Sequence, residues 1–119
     1  MKTVNYSQLI KMIEPGKNHP ILINTLPKED FLKNHIPGSI NIPAEKITQT
    51  APQLFAKHDW IVVYCANPKC TASHTAAEEL EQAGFENVYR FVGGLEEWKQ
   101  FNKYTCTETG TQTPKRSAA

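Results

Sequence analysis

Cys65 and Cys70 stand with four residues between them in WIVVYCANPKCTAS, residues 60–73, where an apolar run meets a loop that opens a helix. Two thiols in such a place point to nucleophilic sulfur chemistry. The run 61–64 reads as a buried strand that carries Cys65 at its end, and the next helix would aim its unpaired N–H groups and positive dipole end at the sulfur. Both effects favour thiolate over thiol. Lys69 adds a mobile positive charge, and His74 is near enough in sequence to interact with the sulfur. Position alone also fits a small, inert, buried thiol at Cys65. A zinc site needs four ligands, whereas Cys65, Cys70 and His74 give three, so no metal is implied.

The elements that must hold these residues alternate between helix and strand patterns, as in an α/β domain around a mostly parallel sheet. Asn5 can cap a first helix with Gln8 as its box partner, Leu9, Ile10 and Ile13 recur at helical spacing, and Pro15-Gly16 ends it. Residues 21–24 read as a strand, and Pro27 suits the first position of a short helix. His35-Ile36-Pro37-Gly38 is a turn signal, with a structural role for His35 in bonding the turn backbone. A short strand over 39–42 and a loosely helical stretch over 43–57, interrupted by Pro52, precede the central strand 61–64. Thr75 and Glu78 match a capping box for the helix after the cysteine loop, which ends at Gly84. A strand over 87–92, a Gly93-Gly94 turn and a helix over 95–101, with Leu95, Trp98 and Phe101 inward, complete a domain of residues 1–103. The polar, Thr-rich residues 104–119 read as a disordered tail, from which Cys106 could join the site only by folding back.

A chain of 119 residues with a formal net charge of +1 fits one small globular domain. Lys115-Arg116 is its one weak basic pair, so the charge pattern points to no nucleic-acid or membrane partner. No apolar segment approaches the roughly 20 residues of a membrane span, and residues 1–16 lack the hydrophobic core of an export signal. A cytoplasmic location is expected. There, three cysteines argue for a catalytic, redox or metal role rather than a disulfide framework.

Four segments in order, ILINTLPKEDF at 21–31, HIPGSINIP at 35–43, VVYCANPKCTASHTAA at 62–77 and VYRFVGGLEEW at 88–98, make the chain resemble a single-domain rhodanese. The resemblance implies a three-layer α/β domain with a mostly parallel central sheet flanked by helices. It also implies a sulfurtransferase activity, in which a cysteine takes sulfane sulfur as a persulfide from a donor such as thiosulfate and passes it to a thiophilic acceptor. The nucleophile position falls on Cys65, and Ala66, Asn67, Pro68, Lys69, Cys70, Thr71, Ala72 and Ser73 form the substrate-binding loop. Partners would be a small-molecule sulfur donor and a thiol or other thiophilic acceptor, with a protein acceptor also in view. No cofactor is implied, because the sulfur travels on the enzyme itself.

Cys70 would resolve or relay a sulfur held on Cys65 if the loop brings their Cα atoms within about 4.4–6.8 Å, and is otherwise a passive wall of the pocket. The family commonly has a shorter loop with an Arg before the helix, and an Asp and an Arg after the apolar strand of the first segment; here Asn24 and Leu26 stand at the latter positions. Their loss removes an ion pair. A cysteine phosphatase or arsenate reductase on the related fold would need an Arg clamp within the loop, and none lies there. A non-catalytic or redox-regulatory binding module is the remaining alternative.

Overall fold

The computed structural model describes residues 2–107 and 112–114. Five strands, β1 (Lys2–Val4), β2 (Ile21–Asn24), β3 (Ile40–Asn41), β4 (Trp60–Tyr64) and β5 (Asn87–Phe91), form one sheet in the order β1-β5-β4-β2-β3, with every neighbouring pair parallel. β4 is central, as its apolar run predicts. It reads as continuously hydrophobic because both of its faces are covered.

Alternation along β4 divides the core into two layers. Ile61 and Val63 join Ile23, Ala76, Ala77, Leu80 and Val88 under α3 (Ile47–Leu54) and α4 (Ala72–Gln82). Val62 and Tyr64 face the other way, onto Leu9, Phe91, Leu95 and Trp98, beneath α1 (Tyr6–Met12) and α5 (Gly94–Phe101). Leu80 is fully enclosed, so truncating it to Ala would cost about 2–5 kcal/mol. The α/β three-layer architecture is therefore the one expected from the sequence. Among the described residues no helix is long and apolar enough to cross a membrane.

The helix caps follow the sequence in one case and depart from it in another. Asn5 Oδ1 accepts the Gln8 N–H and Gln8 Oε1 accepts the Asn5 N–H, both at 2.8 Å, so the expected capping box opens α1. α4 instead begins at Ala72 with Thr71 at its cap position, which puts Thr75 inside the first turn rather than at the boundary. The Thr75/Glu78 pattern has box spacing, but the chain is already helical there. Pro27 stands one position earlier than expected, as the cap residue of α2 (Lys28–Lys33).

Two further expectations are corrected and one element is new. β1 at the sheet edge has no sequence signal, because three residues are too few to show a period. Phe101 is 59% exposed and leans on the Tyr6 ring instead of entering the core with Trp98. The stretch read as tail from residue 104 starts with β6 (Tyr104–Cys106), which pairs antiparallel with β7 (Gln112–Pro114). The His35 and Cys106 backbones bond each other reciprocally at 2.9 and 2.8 Å, which seats β6 against the domain. The rest of that tail reading, residues 108–111 and 115–119, lies outside the described residues.

Candidate active site

The cysteine loop leaves the C-terminal end of β4, the end of a parallel sheet where ligand sites form. Tyr64, the last residue of β4, is fully buried, and its hydroxyl gathers the neighbouring turns. It accepts from Asn24 Nδ2 (3.2 Å) and the Ile36 N–H (3.0 Å) and shares a hydrogen bond with Ser39 Oγ (2.7 Å). Burial pushes its pKa up to about 12, against the smaller opposing effect of those hydrogen bonds. Asn24 Oδ1 in turn accepts the Leu26 N–H, and Asn41 Nδ2 donates to the Asn24 and Leu26 carbonyls. A neutral amide network thus braces the wall of the site where an ion pair is missing, without burying a charge.

α5 holds the loop from the other side. The Leu95 and Glu96 N–H groups donate to the Cys65 and Ala66 carbonyls at 2.9 and 2.8 Å. Gly94 has φ +60°, and a Cβ there would run into the Cys65 carbonyl. The Gly-Gly turn therefore lets a helix start close enough to seat the cysteine backbone. Those first amides of α5 are taken up by the loop.

Within the loop the chain doubles back. Cys70 N–H donates to the Asn67 carbonyl, Asn67 Oδ1 accepts from the Lys69 and Cys70 N–H groups at 3.0 and 3.1 Å, and Pro68 sits at the second position of the turn. The turn returns Cys70 over Cys65. The Cys65 S–H lies 3.4 Å from the Cys70 carbonyl and 3.3 Å from Ser73 Oγ.

The two thiols differ sharply in surroundings. Cys65 is 1% exposed, and burial, followed by its role as donor to Cys70, raises its pKa. Cys70 is partly exposed. Partial burial opposes ionisation there, yet the Cys65 S–H, the Ala72 and Ala66 amides and the charge of Arg90 together hold its pKa below the ordinary thiol value. Cys106 is buried beside His35 on β6, its pKa raised by burial, and forms no part of this pair.

Arg90 is the residue that a scan of the loop sequence misses. It lies on β5 opposite Val63 of β4 and sends its guanidinium across to the loop, where Nε donates to Ser73 Oγ (2.9 Å) and Nη2 to the Cys70 carbonyl (3.3 Å). The signal was available in the sheet order, because β5 next to β4 places its C-terminal residues beside the strand that ends at the cysteine.

The other residues singled out in the loop are spread around it. Lys69 and Pro68 are exposed and border a cleft of about 350 Å³ with Asn67 and Glu96. A second cleft of about 450 Å³ continues along Ala66, Asn67, Glu96 and Lys99 toward Lys33 and Leu26. Neither cysteine lines these clefts, which flank the shoulder of the loop. His74, for which a thiolate contact and an ordinary exposed first-turn place are equally in view, faces Glu78 at 3.4 Å on the exposed side of α4. His35 has the structural role expected of it: Nδ1 bonds the Phe31 carbonyl at 2.8 Å and the ring stacks on Phe31.

Comparison with known proteins agrees with this fold. The BH2092 protein of Bacillus halodurans superposes with a TM-score of 0.81 at 28% identity, over 90% of this chain and 77% of that one. The HTH-type transcriptional regulator Rv0324 of Mycobacterium tuberculosis is 31% identical over 96 residues, 81% of this chain and 41% of the regulator. The adenylyltransferase and sulfurtransferase UBA4 of Candida albicans is 34% identical over 94 residues, 73% of this chain and 21% of that enzyme. The chain thus spans less than half the length of either of these two relatives. The profile of the rhodanese-like domain matches residues 5–101, and the chain belongs to that family.

Proposed function

We propose that this domain is a sulfurtransferase that takes sulfane sulfur as a cysteine persulfide on the loop of residues 65–73 and gives it to a thiophilic acceptor. The observation that carries this reading is the pairing of two free thiols on one loop, with the Ala66 and Ala72 amides and Arg90 placed to stabilise a sulfur anion. With thiosulfate as donor, the thiolate attacks the outer sulfur, the sulfur–sulfur bond breaks, and its electron pair departs on sulfite. A thiol or cyanide then attacks the outer sulfur of the persulfide and restores the thiolate. The domain would act in the cytoplasm on a small-molecule donor, with a thiol or a protein as acceptor. Intact-mass measurement after exposure to thiosulfate, and separately to a small persulfide, tests the reading: one added sulfur that cyanide removes supports it, and no added sulfur from either donor rejects it.

A second reading, a redox-regulatory module, is favoured by the closeness of the same two thiols, which could close a disulfide under oxidant. It predicts loss of two hydrogens on mild peroxide treatment and no catalytic turnover with sulfur donors.

A further inference from the structure

We propose that sulfur arrives at this site on Cys70 and is then handed to Cys65, so that the residue at the nucleophile position of the family is the second carrier in this chain. The inference rests on the sulfur-transfer reading above. Cys65 is 1% exposed, beneath the Cys70 carbonyl and Ser73 Oγ, whereas Cys70 is open to solvent in part, with the Ala66 and Ala72 amides and the Arg90 charge favouring its thiolate. The approach to Cys65 Sγ is bounded by the Cys70 carbonyl and Ser73 Oγ. A donor meets Cys70 first.

The steps balance without any further reagent. The Cys70 thiolate attacks the outer sulfur of thiosulfate, sulfite leaves with the electron pair of the broken sulfur–sulfur bond, and Cys70 holds a persulfide. Cys65 then attacks the outer sulfur of that persulfide. The bond between Cys70 and the outer sulfur breaks, its electron pair returns to the Cys70 sulfur, and the proton lost by Cys65 passes to it. Cys65 now holds the persulfide anion and Cys70 is a thiol. The direction suits the two environments, because a better-stabilised thiolate is the better leaving group and the thiol with the higher pKa gives the stronger nucleophile once ionised. The Cys65 sulfur lies 3.4 Å from the Cys70 carbonyl oxygen, so the proton has only a short distance to cover between the two residues.

Rapid-quench exposure of the wild type, Cys65→Ser and Cys70→Ser to thiosulfate and to glutathione persulfide, with alkylation and fragment mapping, tests the order. Cys65→Ser should still gain one sulfur, mapped to Cys70, while Cys70→Ser should slow uptake by about tenfold or more, since its remaining thiol is covered and little ionised. In the wild type the label should pass from Cys70 to Cys65 with time. Uptake on Cys65 at an undiminished rate in Cys70→Ser, or loss of uptake in Cys65→Ser, overturns the order while leaving the sulfur-transfer reading intact. No uptake by any form from either donor rejects both. A measurement on the unmodified chain guards against a variant that misfolds: limiting iodoacetamide at neutral pH should alkylate Cys70 before Cys65, and the reverse sequence overturns the proposal.

Discussion

Arg90 on β5 donates its Nε hydrogen to Ser73 Oγ at 2.9 Å, and the same hydroxyl accepts from the Cys65 S–H at 3.3 Å. One serine, 1% exposed, therefore joins the guanidinium of one strand to the thiol at the end of the next. Because Nη2 also reaches the Cys70 carbonyl, Arg90 ties down the C-terminal part of the loop while lending positive charge to the Cys70 sulfur.

Removing that tie should affect both geometry and ionisation. Arg90→Ala deletes two charge-assisted hydrogen bonds, each worth about 1.5–3 kcal/mol, and should move the alkylation profile of Cys70 to higher pH as well as slow sulfur uptake. Arg90→Lys keeps the charge without the planar fork, so it should restore much of the profile and less of the rate. Alkylation rate against pH, followed by mass at Cys70, separates the two. An unchanged profile in Arg90→Ala would leave Arg90 as a purely structural tie.

Gly94→Ala places a Cβ against the Cys65 carbonyl at a residue with φ +60°, and the rigid strand end behind that carbonyl has little room to move. We expect a loss of about 1–3 kcal/mol in urea unfolding. Sulfur uptake should fall by more than the unfolded fraction explains, up to about a hundredfold, because the loop that holds both thiols is displaced. A variant with wild-type stability and uptake would show that α5 does not position the loop.

The sequence pattern carries the sheet and both helical layers because β4 is covered on both sides and α1, α4 and α5 keep their periodicity. It also carries the place of Cys65, since an apolar strand has to end somewhere and this one ends at a thiol. What it leaves out depends on contacts between distant segments. Arg90 reaches the loop only through the pairing of β5 with β4, and Cys106 is seated by the backbone of His35, 71 positions earlier in the chain. The ranking of the two thiols is also a matter of packing: the Asn67-Pro68 turn brings Cys70 over Cys65, and burial then separates their ionisation.

Tyr64 gives the fold an alkaline limit. Its pKa rises from 10.0 to about 12 through burial, so the native state keeps the phenol proton at pH values where the unfolded chain loses it. The stabilisation tied to that proton is complete below pH 10 and fades as pH climbs from 10.0 toward about 12, a change on the order of 3 kcal/mol. Tyr64→Phe removes a partner from Asn24, Ile36 and Ser39 and should cost about 1–3 kcal/mol below pH 10, yet lack this part of the alkaline decline. Urea midpoints of the two proteins should therefore converge as pH rises above 10, and parallel curves would remove Tyr64 from the alkaline transition.

The arrangement of Arg90 also bears on phosphate chemistry. An arginine beside a reactive cysteine is what a phosphatase needs, but here Nε and Nη2 are directed at Ser73 Oγ and the Cys70 carbonyl within the protein. A side-on bidentate grip on a phosphate dianion through Nε and Nη2 would require both bonds to be given up, and the oxyanion of the transition state would lose its preorganised partner. Attack on sulfane sulfur depends instead on the thiolate and the Ala66 and Ala72 amides, which stay in place. Sulfur transfer to cyanide from thiosulfate or a small persulfide should exceed aryl phosphate hydrolysis by at least about a hundredfold at equal enzyme concentration. Arg90→Ala should leave the phosphatase rate at its low baseline, since no phosphate clamp is lost. Steady-state rates for the three substrates decide the matter, and phosphate hydrolysis faster than both sulfur-transfer reactions would show that Arg90 leaves Ser73 and Cys70 to hold the substrate.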